Sequence, residues 1–250
     1  MNNPTRYFIA DIHLTDNEPA QDHFDITAGF LSFLDSLPDH CELYILGDLF
    51  DYWIGDDVNS ILHRKIADAL NNLSNRHIKK YFVHGNRDFL LGKKYAKSCG
   101  MTILPEINCL PNQDSNIVFL HGDLLCLDDP QYQKFRKVMH KKWLQALFLL
   151  LPLRIRLKIA GKLRQESSAH NQIKSENIMD VNQDAVENMM SNYNANIMVH
   201  GHTHKPATHH FFINNQPVTR LVLGAWHDGI SFIKQETNSN ILKLYNHSFK

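Results

Sequence analysis

Five short motifs carry side chains that could bind metal ions, and each motif follows a short apolar run. They are Asp11-Ile12-His13, Gly47-Asp48-Leu49-Phe50-Asp51, Gly85-Asn86-Arg87-Asp88, His121-Gly122-Asp123 and Gly201-His202-Thr203-His204. Their carboxylate, imidazole and amide atoms are ligands that divalent cations accept. Each motif alone is a weak signal, because such residues also occur in turns that bind no metal. Five of them in succession predict one metal site.

The chemistry of such a site follows from its charge. A carboxylate has two oxygens, so Asp48 could bridge two cations held roughly 3.5–4 Å apart. Two divalent cations bring more positive charge than Asp11 and Asp48 neutralise, while Asn86 and the histidines coordinate without adding charge. The surplus suits an anionic phosphate and lowers the pKa of a coordinated water. The motifs therefore predict hydrolysis of a phosphodiester or phosphoanhydride, with no serine or cysteine nucleophile.

The apolar runs before the motifs predict buried strands, because they are short and rich in aromatic and β-branched residues. These runs are residues 7–10, 43–46, 81–83, 117–120 and 197–199. Helix-like stretches lie between some of them, at residues 22–37, 58–76 and 175–193. Alternating strands and helices indicate an α/β layered fold. Sites in such sheets form at the carboxyl ends of the strands, where the motifs fall.

Two segments depart from this alternation. Residues 130–163 look helical and form an insertion between the fourth and fifth of these strands. Beyond Pro206, strand-like runs at 211–213, 221–223, 230–233 and 241–245 predict a second sheet packed on the first. We expect a four-layer helix–sheet–sheet–helix sandwich, with residues 1–128 and 166–250 as the core and residues 129–165 as a helical lid.

The order of the five motifs resembles that of the calcineurin-like metallophosphoesterases. The resemblance implies two manganese ions per chain, although nitrogen and oxygen ligands alone would also suit iron or zinc. It assigns one ion to Asp11, His13, Asp48 and His204, and the other to Asp48, Asn86, His121 and His202. Asp51 and Asp123 are expected to orient ligand histidines or glycine turns rather than to bind metal.

Within that family the chain is similar to the UDP-2,3-diacylglucosamine pyrophosphatases of lipid A biosynthesis over about residues 5–245. An arginine, Arg87, stands where the family at large has a histidine; it can grip a phosphate oxygen but cannot act as a proton donor at neutral pH. Further stretches that carry the similarity are residues 48–57, 178–182, 201–206 and 223–227.

This resemblance implies that water attacks the α-phosphorus of UDP-2,3-diacylglucosamine and releases UMP and 2,3-diacylglucosamine 1-phosphate. It implies catalytic roles for Asn86, Arg87 and His202. The substrate contacts that it implies are Asn86, Arg87, Asp129, Ser167, Asn171, Lys174 and His202. From spacing alone, Ser167, Asn171 and Lys174 would share one helix face, which is more often a solvated surface.

The insertion is both apolar and basic, with residues 148–153 apolar and Arg154, Arg156 and Lys158 following. One interpretation is a lid that receives acyl chains and rests on anionic lipid head groups. The alternative is a core helix with a charged outer face. Pro152 suits a helix start, yet residues 153–159 alternate as in a strand, so the local structure stays open.

Composition sets further expectations. Lysine plus arginine equals aspartate plus glutamate at 26 each, which gives no overall charge to attract nucleic acid. The four cysteines form no ligand-like pair and are expected to be free thiols. No apolar run approaches the roughly 18 residues that span a bilayer, and the first residues lack a signal-peptide pattern. We expect a cytoplasmic protein, peripheral on the inner membrane, and no protein partner is implied.

Two other functions are compatible with parts of the sequence. A general two-metal phosphodiesterase would share the motifs but would favour a basic groove for cyclic nucleotides or nucleic acid. A non-catalytic scaffold on the same fold would tolerate the loss of ligands, whereas all seven predicted ligand positions are filled here.

Overall fold

The computed structural model describes residues 4–16, 25–58, 60–173 and 180–248, with the backbone alone at 164–173, 228 and 248. Eleven strands in this part of the chain form two sheets. The first contains β1 (Arg6–Ile9), β2 (Glu42–Leu46), β3 (Lys79–Val83), β4 (Met101–Ile103), β10 (Gly229–Gln235) and β11 (Leu242–Ser248). The second contains β5 (Ile107–Asn112), β6 (Ser115–Leu120), β7 (Ala195–His200), β8 (Ala207–Ile213) and β9 (Gln216–Val222).

The strand order is β11-β10-β1-β2-β3-β4 in the first sheet and β5-β6-β7-β9-β8 in the second. β1 to β4 run parallel, as do β6, β7 and β9. The prediction that the C-terminal strands form a second sheet of their own is wrong. β8 and β9 join the motif strands β6 and β7, whereas β10 and β11 extend the first sheet by pairing antiparallel beside β1.

Packing of apolar side chains between the two sheets explains this arrangement. Phe119 of β6 packs edge-on against Phe8 and Tyr44 of the first sheet, with ring centroids 5.6 and 5.1 Å apart. Val199 and Leu221 join them in one buried cluster. These strands are apolar on both faces and so must be covered on both sides, which the two-sheet arrangement provides.

Helices cover the outer faces of both sheets and complete the predicted layers. α1 (Ile26–Ser36), α2 (Ile61–Asn72) and α3 (Lys93–Ser98) enclose a cluster on the first sheet, and α7 (Gln183–Asn192) covers the second. α1, α2 and α7 are capped at their N-termini by Asp25, Ser60 and Asn182, whose side chains accept a backbone N–H of the first turn. The predicted helices at 22–37, 58–76 and 175–193 are confirmed in type; residues 22–24, 59 and 175–179 of these ranges lie outside the described residues, and within the described residues the α-helices are shorter than predicted.

The insertion between β6 and β7 is helical as predicted, in three pieces: α4 (Pro130–Met139), α5 (Lys142–Leu150) and α6 (Leu153–Ile173). The strand alternative at residues 153–159 is excluded, since the carbonyl of Pro152 accepts the N–H groups of Ile155 and Arg156 at the start of α6. α6 continues past residue 165, so the expected core boundary falls inside this helix. Among the described residues, no helix has the length and apolarity that crossing a bilayer requires.

Candidate metal centre

All seven predicted metal ligands come together at the carboxyl ends of strands from both sheets. The first sheet supplies Asp11, His13, Asp48 and Asn86, which follow β1, β2 and β3. The second supplies His121 after β6, and His202 and His204 after β7. Backbone hydrogen bonds connect these loops, among them Gly201 N–H to the carbonyl of His121 at 2.8 Å. The loops at the carboxyl ends of strands from two packed sheets therefore form one site.

The backbone turns these side chains inward by adopting the left-handed conformation. Five of the seven ligands have φ between 53° and 71°: Asp11, His13, Asp48, His202 and His204. This region costs a residue with a side chain about 1–2 kcal/mol, and Asp and His tolerate it better than most. Residues with such strained backbone conformations cluster at functional sites.

Two glycines allow the loops to approach the carboxylates closely. A Cβ on Gly85 would overlap the carboxylate of Asp48, and one on Gly201 would overlap that of Asp11. The motifs GN and GH therefore need glycine for space.

One group of donors surrounds Asp11. Nε2 of His13 lies 3.2 Å from Nε2 of His204, which lies 3.4 Å from Oδ1 of Asp11. Suitable ligand atoms of Asp11, His13 and His204 all lie within 4.8 Å of one another. This is the spacing of atoms that share one cation.

A second group surrounds Asn86. Its Oδ1 lies 2.9 Å from Nε2 of His121 and 2.9 Å from Nδ1 of His202. Asp48 lies between the two groups: Oδ2 is 4.0 Å from Nε2 of His13, and Oδ1 is 3.8 Å from Nε2 of His121. Each oxygen of Asp48 thus faces a different group, as a bridging ligand requires.

The ligand atoms of the two groups suit bound cations better than they suit hydrogen bonds with one another. Oδ1 of Asp11 is buried and accepts no hydrogen bond from the residues that the structure describes, which is costly unless a positive charge is nearby. Nδ1 of His121 lies 2.8 Å from the carbonyl of Leu46. When the ring is neutral and Nδ1 donates there, the lone pair on Nε2 faces the oxygen of Asn86, and these two acceptors repel unless a cation or a proton lies between them.

Burial and mutual charge also shift the pKa values of these groups. Burial raises the pKa of Asp48 to about 7. Burial opposes a charged His121, but the Asp48 and Asp11 carboxylates outweigh it and raise the pKa of His121 to about 9. Burial lowers the pKa of His202 to about 4. Protons and cations therefore compete for His121 and Asp48, and metal affinity should rise with pH.

Asp88 is a positioning residue that the sequence analysis did not single out. It is fully buried and accepts the N–H of Leu49 at 2.8 Å and that of Gly85 at 2.9 Å. It therefore fastens the loop after β2 to the loop after β3. The available signal was its place three residues after Gly85, a spacing at which Asp often accepts a backbone N–H.

Asp123 connects the metal centre to the insertion; the sequence had suggested that it orients a ligand histidine or a glycine turn. Its Oδ2 accepts Nε of Arg136 at 2.6 Å and the hydroxyl of Tyr132 at 3.1 Å, both from α4. The Tyr132 ring also lies against His202, with ring centroids 5.9 Å apart. The insertion therefore packs directly against one predicted metal ligand.

A cavity of about 650 Å³ begins at the metal centre and continues between the insertion helices. Asn86 and Arg87 line it on the metal side, and the backbone N–H of Arg87 donates to Oδ1 of Asp48 at 2.8 Å. Most of its wall is apolar and comes from α4, α5, α6 and the link between α5 and α6, including Phe135, Leu144, Phe148, Leu151, Ile159 and Leu163. A volume in this range is typical of ligand-binding pockets.

The remaining predicted substrate residues lie on or near the insertion. Asp129 is buried and caps α4 by accepting the N–H of Tyr132 at 3.0 Å. Ser167 and Asn171 lie on α6, where the structure describes the backbone alone, and Lys174 lies outside the described residues. Cys41, Cys99, Cys109 and Cys126, all within the described part of the chain, form no disulfide with one another.

Comparisons with known proteins agree with this geometry. A sequence model of the calcineurin-like phosphoesterases matches residues 5–206. The chain is 54% identical to the UDP-2,3-diacylglucosamine hydrolase of Proteus mirabilis and 51% identical to that of Escherichia coli K12. Both matches span 228 residues, which are 91% of this chain and 93% of each relative.

Among solved structures, the phosphoesterase Yfce of E. coli covers 98% of this chain and 100% of its own length. It is 14% identical with a TM-score of 0.44, which is too low to add to the family assignment. The sequence match spans most of the chain, and its motif residues converge in the structure. This chain therefore belongs to the calcineurin-like phosphoesterase family.

Proposed function

We propose that this chain hydrolyses the pyrophosphate of UDP-2,3-diacylglucosamine, giving UMP and 2,3-diacylglucosamine 1-phosphate for lipid A biosynthesis. The observation that carries the proposal is the cavity that runs from Asn86 and Arg87 into an apolar space between α4, α5 and α6. A ligand that fills it must have phosphate at one end and hydrocarbon at the other. The relatives in P. mirabilis and E. coli bear the name of this activity.

A general phosphodiesterase fits the cavity less well. Nucleic acid and cyclic nucleotides are polar along their whole length and would leave this apolar wall uncovered. The overall charge of the chain, with equal numbers of acidic and basic residues, also provides no attraction for a polyanion.

The proposed cofactors are two Mn²⁺ ions. Asp11, His13, His204 and one oxygen of Asp48 would hold one ion, and Asn86, His121, His202 and the other oxygen would hold the second. When bound, such ions lower the pKa of a water molecule and offset negative charge on the phosphate.

The chain's own residues then orient the substrate. The guanidinium of Arg87, at the metal end of the cavity, is placed to grip phosphate oxygens through two N–H groups. Its backbone N–H stays bound to Asp48, which ties the phosphate grip to the metal site. In the proposed reaction water forms a bond to the α-phosphorus, and the bond from that phosphorus to the bridging oxygen breaks. We further propose Asp129, Ser167, Asn171 and Lys174 as substrate contacts.

Hydrolysis in oxygen-18 water tests the function and its regiochemistry together. The purified chain with Mn²⁺ should convert UDP-2,3-diacylglucosamine and place the label in UMP. Mass spectrometry of both products measures this. Label in the sugar phosphate would move the attack to the β-phosphorus, and failure to cleave the lipid while a simple phosphodiester is hydrolysed would overturn the substrate assignment.

We also propose that the insertion, residues 129–165, is a lid that rests on the cytoplasmic face of the inner membrane. An apolar–basic surface on α5 and α6 supports this: Trp143, Leu150, Leu153 and Leu157 are exposed, with Leu150 at 81%, beside the exposed Lys142 and Lys158. Exposed apolar side chains flanked by cations are typical of helices that lie in a lipid interface. The surface adjoins the cavity, so a lipid substrate would enter from the bilayer.

Replacing Leu150 by aspartate should weaken binding to vesicles that contain phosphatidylglycerol by about tenfold or more, because burying a leucine side chain is worth about 1.5–3 kcal/mol. Co-sedimentation with vesicles measures the effect. Ile241→Asp is a matched control: Ile241 is 66% exposed and lies in the β10–β11 connection, at the opposite end of the strands from the metal centre. Equal binding by both variants would argue against this surface.

A further inference from the structure

Arg156 is buried near the start of α6, where its neighbours in sequence, residues 153–155 and 157–159, are exposed. Its side chain is 2% exposed, whereas Arg154 and Lys158 on the same helix are exposed. A buried guanidinium is stable only when its N–H groups have acceptors, so its partners define its role.

Those partners come from two other segments. Nε of Arg156 donates to the carbonyl of Leu151 at 2.9 Å, at the end of α5. Nη1 donates to the carbonyl of Ile54 and, at 2.8 Å, to Oδ1 of Asp57, while Nη2 donates to Oδ2 of Asp57. The guanidinium thus joins α6, the end of α5 and the loop of residues 54–57 in the core.

The loop that receives Arg156 is itself firmly held. Asp56, next to Asp57, accepts the indole N–H of Trp53 at 3.1 Å. It also accepts the N–H of Gly92 at 2.8 Å and that of Tyr95 at 3.0 Å, at the start of α3. Asp56 therefore fixes the loop to the core, and Asp57 presents a carboxylate to the insertion from a rigid base.

Gly55 shows how closely the helices approach this loop. Its φ is +134°, and a Cβ there would collide with the guanidinium of Arg156 and lie 2.9 Å from Cδ2 of Leu149. Contact between insertion and core at this point depends on a residue without a side chain.

The segments that Arg156 joins are walls of the cavity. Ile54 and Leu151, whose carbonyls it binds, both line the cavity, and so do Ile159, Ala160 and Leu163 of α6. Arg156 itself does not line it. Moving α6 away from the 54–57 loop would separate these walls and open the apolar space to water.

We propose that Arg156 is a positioning residue that sets specificity for the acylated part of the substrate, by holding α6 against the 54–57 loop so that the apolar walls of the cavity stay together. This rests on the proposed function. Asp57 is the smaller part of the clamp, because its side chain is 58% exposed and its loss leaves both carbonyl contacts of Arg156 in place.

The test is a ratio of specificity constants in the manganese-loaded enzyme. The kcat/KM for UDP-2,3-diacylglucosamine in neutral detergent is divided by that for bis-p-nitrophenyl phosphate, which has no acyl chains. Arg156→Gln should lower this ratio about tenfold or more, chiefly through KM for the lipid, and Arg156→Lys should recover part of it. Arg64→Gln, which removes an exposed arginine on α2, should leave the ratio unchanged.

Hydrogen exchange separates positioning from general loss of stability. Amides of α6 should exchange faster in Arg156→Gln, while those of α1 and α2 keep their protection. Should Arg156→Gln not fold, Asp57→Asn provides the same readouts with a smaller expected fall of about threefold. A normal ratio in the folded variants would overturn the inference, whereas wild-type enzyme that cleaves only the small ester would overturn the proposed function instead.

Discussion

Replacing Asp48 by alanine should lower kcat/KM by about 10³-fold or more and reduce bound metal below two ions per chain. The reason is that its two oxygens face different donor groups, at 4.0 Å from His13 and 3.8 Å from His121. Removing it disturbs both groups at once, unlike the loss of a ligand that serves one. Steady-state kinetics with the UDP-lipid, together with elemental analysis of the dialysed protein, measure the two effects.

Asp114→Ala is the control for this experiment, because Asp114 is exposed in the turn between β5 and β6, at the opposite end of β6 from His121. It should retain wild-type turnover and metal content. Turnover within twofold of wild type in Asp48→Ala would contradict the shared-ligand arrangement. Thermal unfolding of the metal-free proteins shows whether a lost activity is instead a lost fold.

Replacing Arg87 by alanine should lower kcat/KM for the UDP-lipid by about 10²–10³-fold while leaving the metal content unchanged. The side chain lines the metal end of the cavity, but its link to Asp48 is made by the backbone N–H, which alanine retains. The substitution therefore removes the proposed contact with the phosphate without loosening the predicted metal ligands. Arg87→Lys should recover only part of the activity, since lysine lacks the planar fork.

The metal content of Arg87→Ala distinguishes this role from a structural one. Loss of metal in step with activity would mean that the side chain supports the metal loops rather than the phosphate. An exposed arginine away from the site, Arg64, gives the matched control Arg64→Ala, which should behave as wild type in both measurements.

The meeting of the seven predicted ligands could be predicted from the sequence, because all seven follow the end of a strand. Each lies within four residues of the end of a short apolar strand, and parallel strands bring their carboxyl ends to one edge. Ligand atoms of Asp11 and Asp48, which follow neighbouring parallel strands, lie within 4.8 Å of each other in this way. The strand type was readable because these runs are apolar on both faces.

Sheet membership could not be predicted, because strand pairing depends on contacts between distant segments. β8 and β10 have the same length of seven residues, yet β8 joins the second sheet and β10 pairs with β1. The strands β4 and β5 were not predicted from the sequence, for a local reason. β4 has three residues, and β5 carries Pro111 and is partly exposed. Such edge strands lack a buried apolar run.

In the insertion, too, the contacts between distant segments could not be predicted from the sequence. Its apolar and basic composition was visible, but helix and strand patterns overlapped at residues 153–159. The contacts of Asp123 with Arg136 and of Asp57 with Arg156 join residues from separate elements, and only the packed structure pairs them. The cavity, which arises from this packing, is therefore a finding of the structure.

Anomalous diffraction from crystals grown with Mn²⁺ tests the central claim most directly. We predict two peaks per chain, about 3.5–4 Å apart, with one oxygen of Asp48 directed at each. One group of ligands should then be Asp11, His13 and His204, and the other Asn86, His121 and His202. A single peak, or two peaks that Asp48 does not join, in crystals of fully active protein would contradict the two-metal centre.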